Sequence, residues 1–111
     1  MTSIYIESKN INKLQFLEVI ASGVITLTCD AIVRAAHFIN DYDWLLQQYK
    51  LLLKHPNLEV RGVTVTSIGH LARLNENAKK DELLSILEPL LSNGDLVGRV
   101  EDAIDDINTF L

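Results

Sequence analysis

The sequence contains few of the residues that cross-link a chain or direct it through a membrane. Its 111 residues include one cysteine, Cys29, two prolines and one tryptophan. A single cysteine in an apolar context predicts a free thiol in a reducing compartment, so we expect a cytoplasmic protein. The first ten residues lack a basic segment followed by an apolar one, so they do not predict a secretory signal.

Long apolar runs are also missing, although 48% of the residues are hydrophobic. The most apolar stretch surrounds Ala31, and Asp30, Arg34 and His37 interrupt it before it reaches the roughly 18 residues that a membrane span requires. We interpret this stretch as a buried helix and expect no membrane partner. Because it is apolar almost all round, we predict that it is the most deeply buried helix of the protein.

Basic residues are scarce in the last third of the chain. The net charge is −5, and residues 81–111 hold eight acids against one base, Arg99, whereas residues 1–80 hold seven acids against nine bases. This distribution disfavours a nucleic acid as the ligand and favours a basic protein partner. A solvated helix surface is the alternative explanation for any single acid.

No constellation of catalytic or metal-binding residues is visible. Cys29 has no basic neighbour on its own turn, and His37, His55 and His70 lie far apart without the spacing of metal ligands. There is no glycine-rich phosphate loop. We therefore expect a protein that is not an enzyme and that binds no metal or cofactor.

Hydrophobic periodicity predicts an all-α protein with six helices in a single domain, residues 1–111. Residues 1–10 are compatible with a short strand, an extended arm or an early helical turn. Pro89 lies inside the fifth helix, where it should kink the helix or break it early. The predicted helices cover residues 12–21, 24–39, 44–54, 58–74, 81–91 and 97–111.

Several residues mark where these helices begin or approach one another. Asn12 with Gln15 forms a capping-box pattern, and Asn57 can cap the fourth helix. Either Asp41 or Asp43 is expected to cap the third helix, and Asp81 the fifth. In the fourth helix, Gly62 and Gly69 lie seven residues apart, which indicates close packing or merely a weaker helix.

The sequence contains an internal repeat with a period of 38 residues. Of the 19 positions from 43 to 61, seven are identical to the position 38 residues later. The turn at 55–57 aligns with the turn at 93–95, which two unrelated amphipathic helices would not require. Arg61 and Arg99 also align, and we expect both to bond a neighbouring turn. The identical positions are Asp43, Leu45, Leu46, Leu52, Leu53, Leu58 and Arg61.

The stretch 55–61 (HPNLEVR), together with 68–71 (IGHL), resembles the second helix of a HEAT-like repeat. His55 departs from the Asp that the pattern favours, and 63–65 (VTV) departs from its alanines. The resemblance implies three antiparallel helix pairs, stacked as a short HEAT-like α-solenoid whose second helices line one side. It also implies that one surface carries Asp30, Arg34, His37, Thr66, His70, Asp102 and Asp106.

A small acidic array of this kind resembles the HEAT-like immunity proteins of contact-dependent growth inhibition and other polymorphic toxin systems. The resemblance covers residues 11–111. It implies a one-to-one complex with a basic toxin domain, often a nuclease, whose active site the immunity protein occludes. The alternatives are a generic HEAT-like adaptor subunit and a bilin lyase-type enzyme, which would need a bound pigment.

The expected toxin contacts are acids of the sixth helix together with residues elsewhere in the array. Tyr42 and Trp44 align with Lys80 and Glu82, so they occupy positions of surface type and are expected to serve as apolar anchors. Alternatively, Trp44 covers the open first helix pair. The predicted partner-binding residues are Glu101, Asp102, Asp105, Asp106, Trp44, Tyr42, His70 and Asp30.

Overall fold

A computed structural model describes residues 10–111, and all regular structure in that part of the chain is helical. Residues 1–9, which carry most of the predicted arm, lie outside the described residues. A short 3-10 helix spans Glu88–Ser92. The six α-helices are α1 (Lys13–Ser22), α2 (Ile25–Phe38), α3 (Tyr42–Leu52), α4 (Leu58–Leu74), α5 (Lys80–Leu87) and α6 (Val97–Phe110).

The helices form three antiparallel pairs, α1 with α2, α3 with α4 and α5 with α6, so the predicted all-α stack of helix pairs is confirmed. The second helices of the pairs lie side by side, with α4 between α2 and α6. Within residues 10–111, no helix is both long enough and apolar enough to cross a membrane.

The prediction that the second helix is the most deeply buried is wrong. Nine residues of α4 are buried and five of α2, because α4 has a packed neighbour on each side whereas α2 lies nearer one end of the stack. Burial within a stack depends on the number of neighbouring helices, and the apolarity of one helix does not report that number.

Side-chain caps fix the starts of three helices. The Oδ1 of Asn12 accepts a hydrogen bond from the backbone N–H of Gln15 at 2.8 Å, and the Gln15 side chain accepts one from the Asn12 backbone at 3.0 Å, which confirms the capping box. Asp41, not Asp43, caps α3, and Asn57 caps α4. Each cap satisfies a backbone donor that the first helical turn leaves without a partner.

The fifth helix differs from the prediction at both ends. It begins at Lys80, so Asp81 lies in its first turn, where a carboxylate interacts favourably with the helix dipole but does not cap the helix. The helix ends at Leu87, and Pro89 lies in the 3-10 helix that follows. Proline has no N–H to donate, so the α-helical ladder cannot continue past it, and the predicted early break is confirmed.

The two glycines of α4 allow α6 to approach closely. A Cβ atom placed on Gly69 would lie 2.8 Å from both the Cα and the Cβ of Ala103, and a Cβ on Gly62 would lie 2.8 Å from Nε of Arg99. Both distances are shorter than a van der Waals contact. The packing interpretation is therefore confirmed. At Gly69, α4 and α6 approach each other almost backbone to backbone, and at Gly62 the side chain of Arg99 lies against α4.

We predict that Gly69→Ala lowers the free energy of unfolding by about 1–3 kcal/mol, because the added methyl group meets the main chain of α6 at Ala103. Gly98→Ala is the matched control, since a Cβ there meets nothing within 4 Å. This control should leave the stability unchanged or raise it by up to about 1 kcal/mol. Urea unfolding followed by circular dichroism measures both variants, and equal stability of the two would contradict the close contact.

Candidate partner-binding site

Polar side chains connect the second helices of the pairs, α2, α4 and α6, near both ends of the surface that they share, which we call the α2–α4–α6 face. At one end, Arg99 of α6 reaches across to α4. Its Nη1 donates to Oγ1 of Thr66 at 3.0 Å, and its Nη2 donates to Oε1 of Glu59 at 3.2 Å. The only base of residues 81–111 is thus bound to a helix outside that segment.

The two repeat-related arginines make different contacts. Nη1 of Arg61 donates to the backbone carbonyls of His55 at 2.8 Å and Pro56 at 3.1 Å, so Arg61 bonds the turn before its own helix. This confirms the expected contact for one copy of the repeat. Arg99 instead bonds side chains of the neighbouring helix.

At the other end of the α2–α4–α6 face, charged groups from all three helices surround His70. Burial lowers the pKa of His70, and so do Arg73 and His37, whereas Asp106 acts in the opposite direction. The Nδ1 atom of His70 is buried without a hydrogen-bond partner among residues 10–111. Three side chains from different helices, His37, His70 and Asp106, therefore lie near one another. The common surface of seven residues stays a prediction.

The acids of α6 divide between two surfaces. Glu101, Asp102 and Asp105 line a groove of about 480 Å³ beside the 3-10 helix, together with the apolar side chains of Leu91 and Ile104. The fourth acid, at position 106, is half-buried, lies one helical turn after Asp102 and interacts with His70 of α4. The groove thus combines three carboxylates with an apolar wall, whereas the fourth carboxylate belongs to the α2–α4–α6 face.

Asp30 lies on the exposed side of α2. Its Oδ2 lies 3.0 Å from Nε of Arg34, which is the i,i+4 ion pair that the spacing favours. The side chain of Asp30 remains 46% accessible, so the ion pair does not bury it. Asp30 can therefore contact a partner while it stays paired within its own helix.

The prediction that Tyr42 occupies a surface position is wrong. The residue is 4% exposed, and its hydroxyl donates to Oε1 of Glu82 at 2.7 Å and accepts from the backbone N–H of Lys79 at 3.3 Å. Burial, followed by the Glu82 contact, raises the pKa of the phenol. Spacing could have shown this placement, because Tyr42 precedes the core residues Leu45 and Tyr49 by three and seven positions.

Trp44 is half-buried and packs against the core at the start of α3. Its ring contacts Phe16 of α1 edge-on, with 5.7 Å between the centroids, and Nζ of Lys13 lies 5.3 Å from the ring centroid. These contacts connect α1 to α3. They favour the interpretation that Trp44 covers the open first helix pair.

Within residues 10–111, Cys29 and the possible metal ligands are the remaining candidates for chemistry. Burial raises the pKa of the Cys29 thiol, which disfavours the thiolate that nucleophilic chemistry needs. Within the described part of the chain, no group of three or more His, Cys, Asp or Glu residues could hold a metal ion.

Comparison with solved structures shows a likeness over most of the chain. The chain is similar to a chain of a CDI complex. That structure is the crystal structure of a CDI complex from Cupriavidus taiwanensis LMG 19424, and the two chains share 25% sequence identity with a TM-score of 0.84. The similarity covers 91% of each chain, so it extends over the whole helical stack and not over a single helix pair.

No protein-family model matches the sequence, and no curated protein is similar to it at a significant level. The assignment of the helix pairs to the HEAT class therefore stays a prediction.

We predict that acidification destabilises the protein through His70. Its pKa is lowered in the folded state, so between that value and 6.5 the unfolded chain binds a proton that the folded chain does not. The free energy of unfolding should therefore fall as the pH drops below 6.5. His70→Gln cannot take up this proton, so its loss of stability over the same range should be smaller.

Urea unfolding of the wild type and His70→Gln, at about pH 7.5 and about pH 5.5, measures the difference. The carboxylates titrate in both proteins and cancel in the comparison. A wild type that gains stability relative to His70→Gln at the lower pH would contradict the prediction. It would show that attraction to Asp106 affects the pKa of His70 more than burial does.

Proposed function

We propose that this protein is an immunity protein of a contact-dependent growth inhibition (CDI) system. In this proposal it binds a cognate toxin domain in a one-to-one complex and blocks the toxin's active site. The observation that carries the proposal is the similarity to a chain of a CDI complex over 91% of both chains. A fold alone does not determine a function, so the nature of the partner must be inferred from the side chains on the surface.

Charge supports a basic partner for the α6 end of the molecule. Three carboxylates line the groove beside the 3-10 helix, and the only base of residues 81–111, Arg99, is held by α4. The groove acids therefore have no cationic neighbour from their own segment to neutralise them. A nuclease carries a basic active site because it binds phosphates, and carboxylates placed there would occupy the phosphate positions.

We infer that Glu101, Asp102 and Asp105 form the main contact and that Asp106 extends it onto the α2–α4–α6 face. His70 and Asp30 lie farther along the same face and would contact the rim of the toxin. Apolar contact would come from Leu91 and Ile104 in the groove. Trp44 and Tyr42 would act indirectly, since Trp44 packs between α1 and α3 and Tyr42 holds Glu82.

We predict that reversing the four α6 acids to lysine weakens toxin binding by more than about 100-fold, because attraction to a basic active site becomes repulsion. The partner in this experiment is the toxin domain encoded next to this protein's gene. Calorimetry gives the affinity and the stoichiometry, and a nuclease assay on DNA and RNA reports whether inhibition is complete at one equivalent. Circular dichroism shows whether the variant remains folded.

The matched control reverses four exposed acids elsewhere to lysine, so both variants carry the same net charge. The control acids are Glu18, Glu76, Glu88 and Asp95. Unchanged affinity of the α6 variant, or an equal loss in the control, would reject the α6 assignment. If the adjacent toxin does not bind and another cellular subunit co-purifies with the protein, the adaptor function is correct and the immunity proposal is wrong.

A further inference from the structure

A second groove lies on the other side of the 3-10 helix and has the opposite charge. Its volume is about 530 Å³, and it runs between the last turns of α3 and the 3-10 helix. Leu90 lines this groove. The next residue, Leu91, lines the groove of the three α6 carboxylates, which we call the acidic groove. The residues that line the second groove are Gln47, Lys50, Leu51, Leu53, Lys54 and Leu90.

One apolar side chain that lines this groove, which we call the basic groove, is not packed into the core. Leu51 is 63% exposed, and among the large hydrophobic side chains of residues 10–111 only Leu14, at 67%, is more exposed. Leu51 lies opposite the core face of α3, so it has no packing role within the stack. Leu53 and Leu90, which are half-buried, add apolar surface to the same groove.

Two lysines line the groove beside this apolar surface. Lys50 and Lys54 are four residues apart, and neither forms an ion pair with the described part of the chain. Lysines near the end of α3 interact favourably with the helix dipole, and this interaction explains why basic residues are favourable at these two positions. The dipole does not account for the exposed leucine beside them. The two charges thus lie about one helical turn apart, and Leu51 lies next to Lys50.

The geometry points to this groove as the binding site for an acidic amphipathic segment of a protein partner, with an apolar side chain against Leu51 and carboxylates on Lys50 and Lys54. Side chains four residues apart on a helix lie about 6 Å from each other, so acids one turn apart on a helical segment match the lysines. A second copy of this chain fits poorly, because two molecules of net charge −5 repel each other. This site is separate from the proposed toxin contact.

The test uses a synthetic helical peptide that carries two glutamates one turn apart and a leucine next to one of them, to match the spacing of Lys50, Lys54 and Leu51. A matched peptide carries serine in place of leucine. In an NMR titration of the isotope-labelled protein, the leucine peptide should shift the signals of residues that line the basic groove. The serine peptide should bind at least about 10-fold more weakly, because it loses the apolar contact.

Two variants test the groove itself. Leu51→Gln and the double variant Lys50→Glu/Lys54→Glu should each weaken the leucine peptide by at least about 10-fold. All three positions are exposed, so neither variant should unfold the protein, and toxin binding should not change. The matched controls, Leu14→Gln and Lys79→Glu/Lys80→Glu, change equally exposed residues elsewhere and should bind the peptide like the wild type.

Several outcomes would overturn this inference. Equal binding of the serine peptide, or equal loss in the controls, would mean that the protein attracts acidic peptides without a defined site. A dimer in ultracentrifugation that Leu51→Gln dissociates would identify a second copy as the occupant. Stronger peptide binding after removal of residues 1–9 would identify the chain's own N-terminal segment. Absence of shifts in the groove would reject the site altogether.

Discussion

The near contact of α4 and α6 main chains at Gly69 is the constraint on which the surface depends. With glycine at this position, Ala103 can approach to a distance that any Cβ would prevent. The close approach also brings Arg99 within reach of Glu59 and brings Asp106 near His70. Side chains from separate helix pairs therefore form one surface, and a wider separation of the helices would divide that surface.

Local signals in the sequence predicted most of the fold. Asn12 and Asn57 cap helices, and Pro89 ends one, because each effect depends on a few neighbouring backbone groups. Burial was harder to predict. The depth of α2 depends on which helices lie alongside it. The division of the α6 acids likewise depends on the neighbouring helix. Tyr42 was misassigned for a different reason, because its alignment with Lys80 was given more weight than its spacing from Leu45 and Tyr49.

The likeness to a chain of a CDI complex and the charge pattern support the same kind of function by different routes. The first concerns the shape of the entire stack, and the second concerns side chains at one end of it. A stack of helix pairs can change its surface residues while its core stays intact, because the exposed positions of each helix contribute little to packing. A sequence identity of 25% with a TM-score of 0.84 is consistent with such a separation of surface and core.

Pro89 has an effect beyond the end of α5. The short 3-10 helix that contains it forms a ridge, with Lys50 and Lys54 on one side and the carboxylates of the acidic groove on the other. Opposite charges on the two sides of a ridge give this end of the molecule a local electric dipole moment. A partner whose own charges are unevenly distributed experiences a torque as it approaches, so its orientation is partly selected before contact.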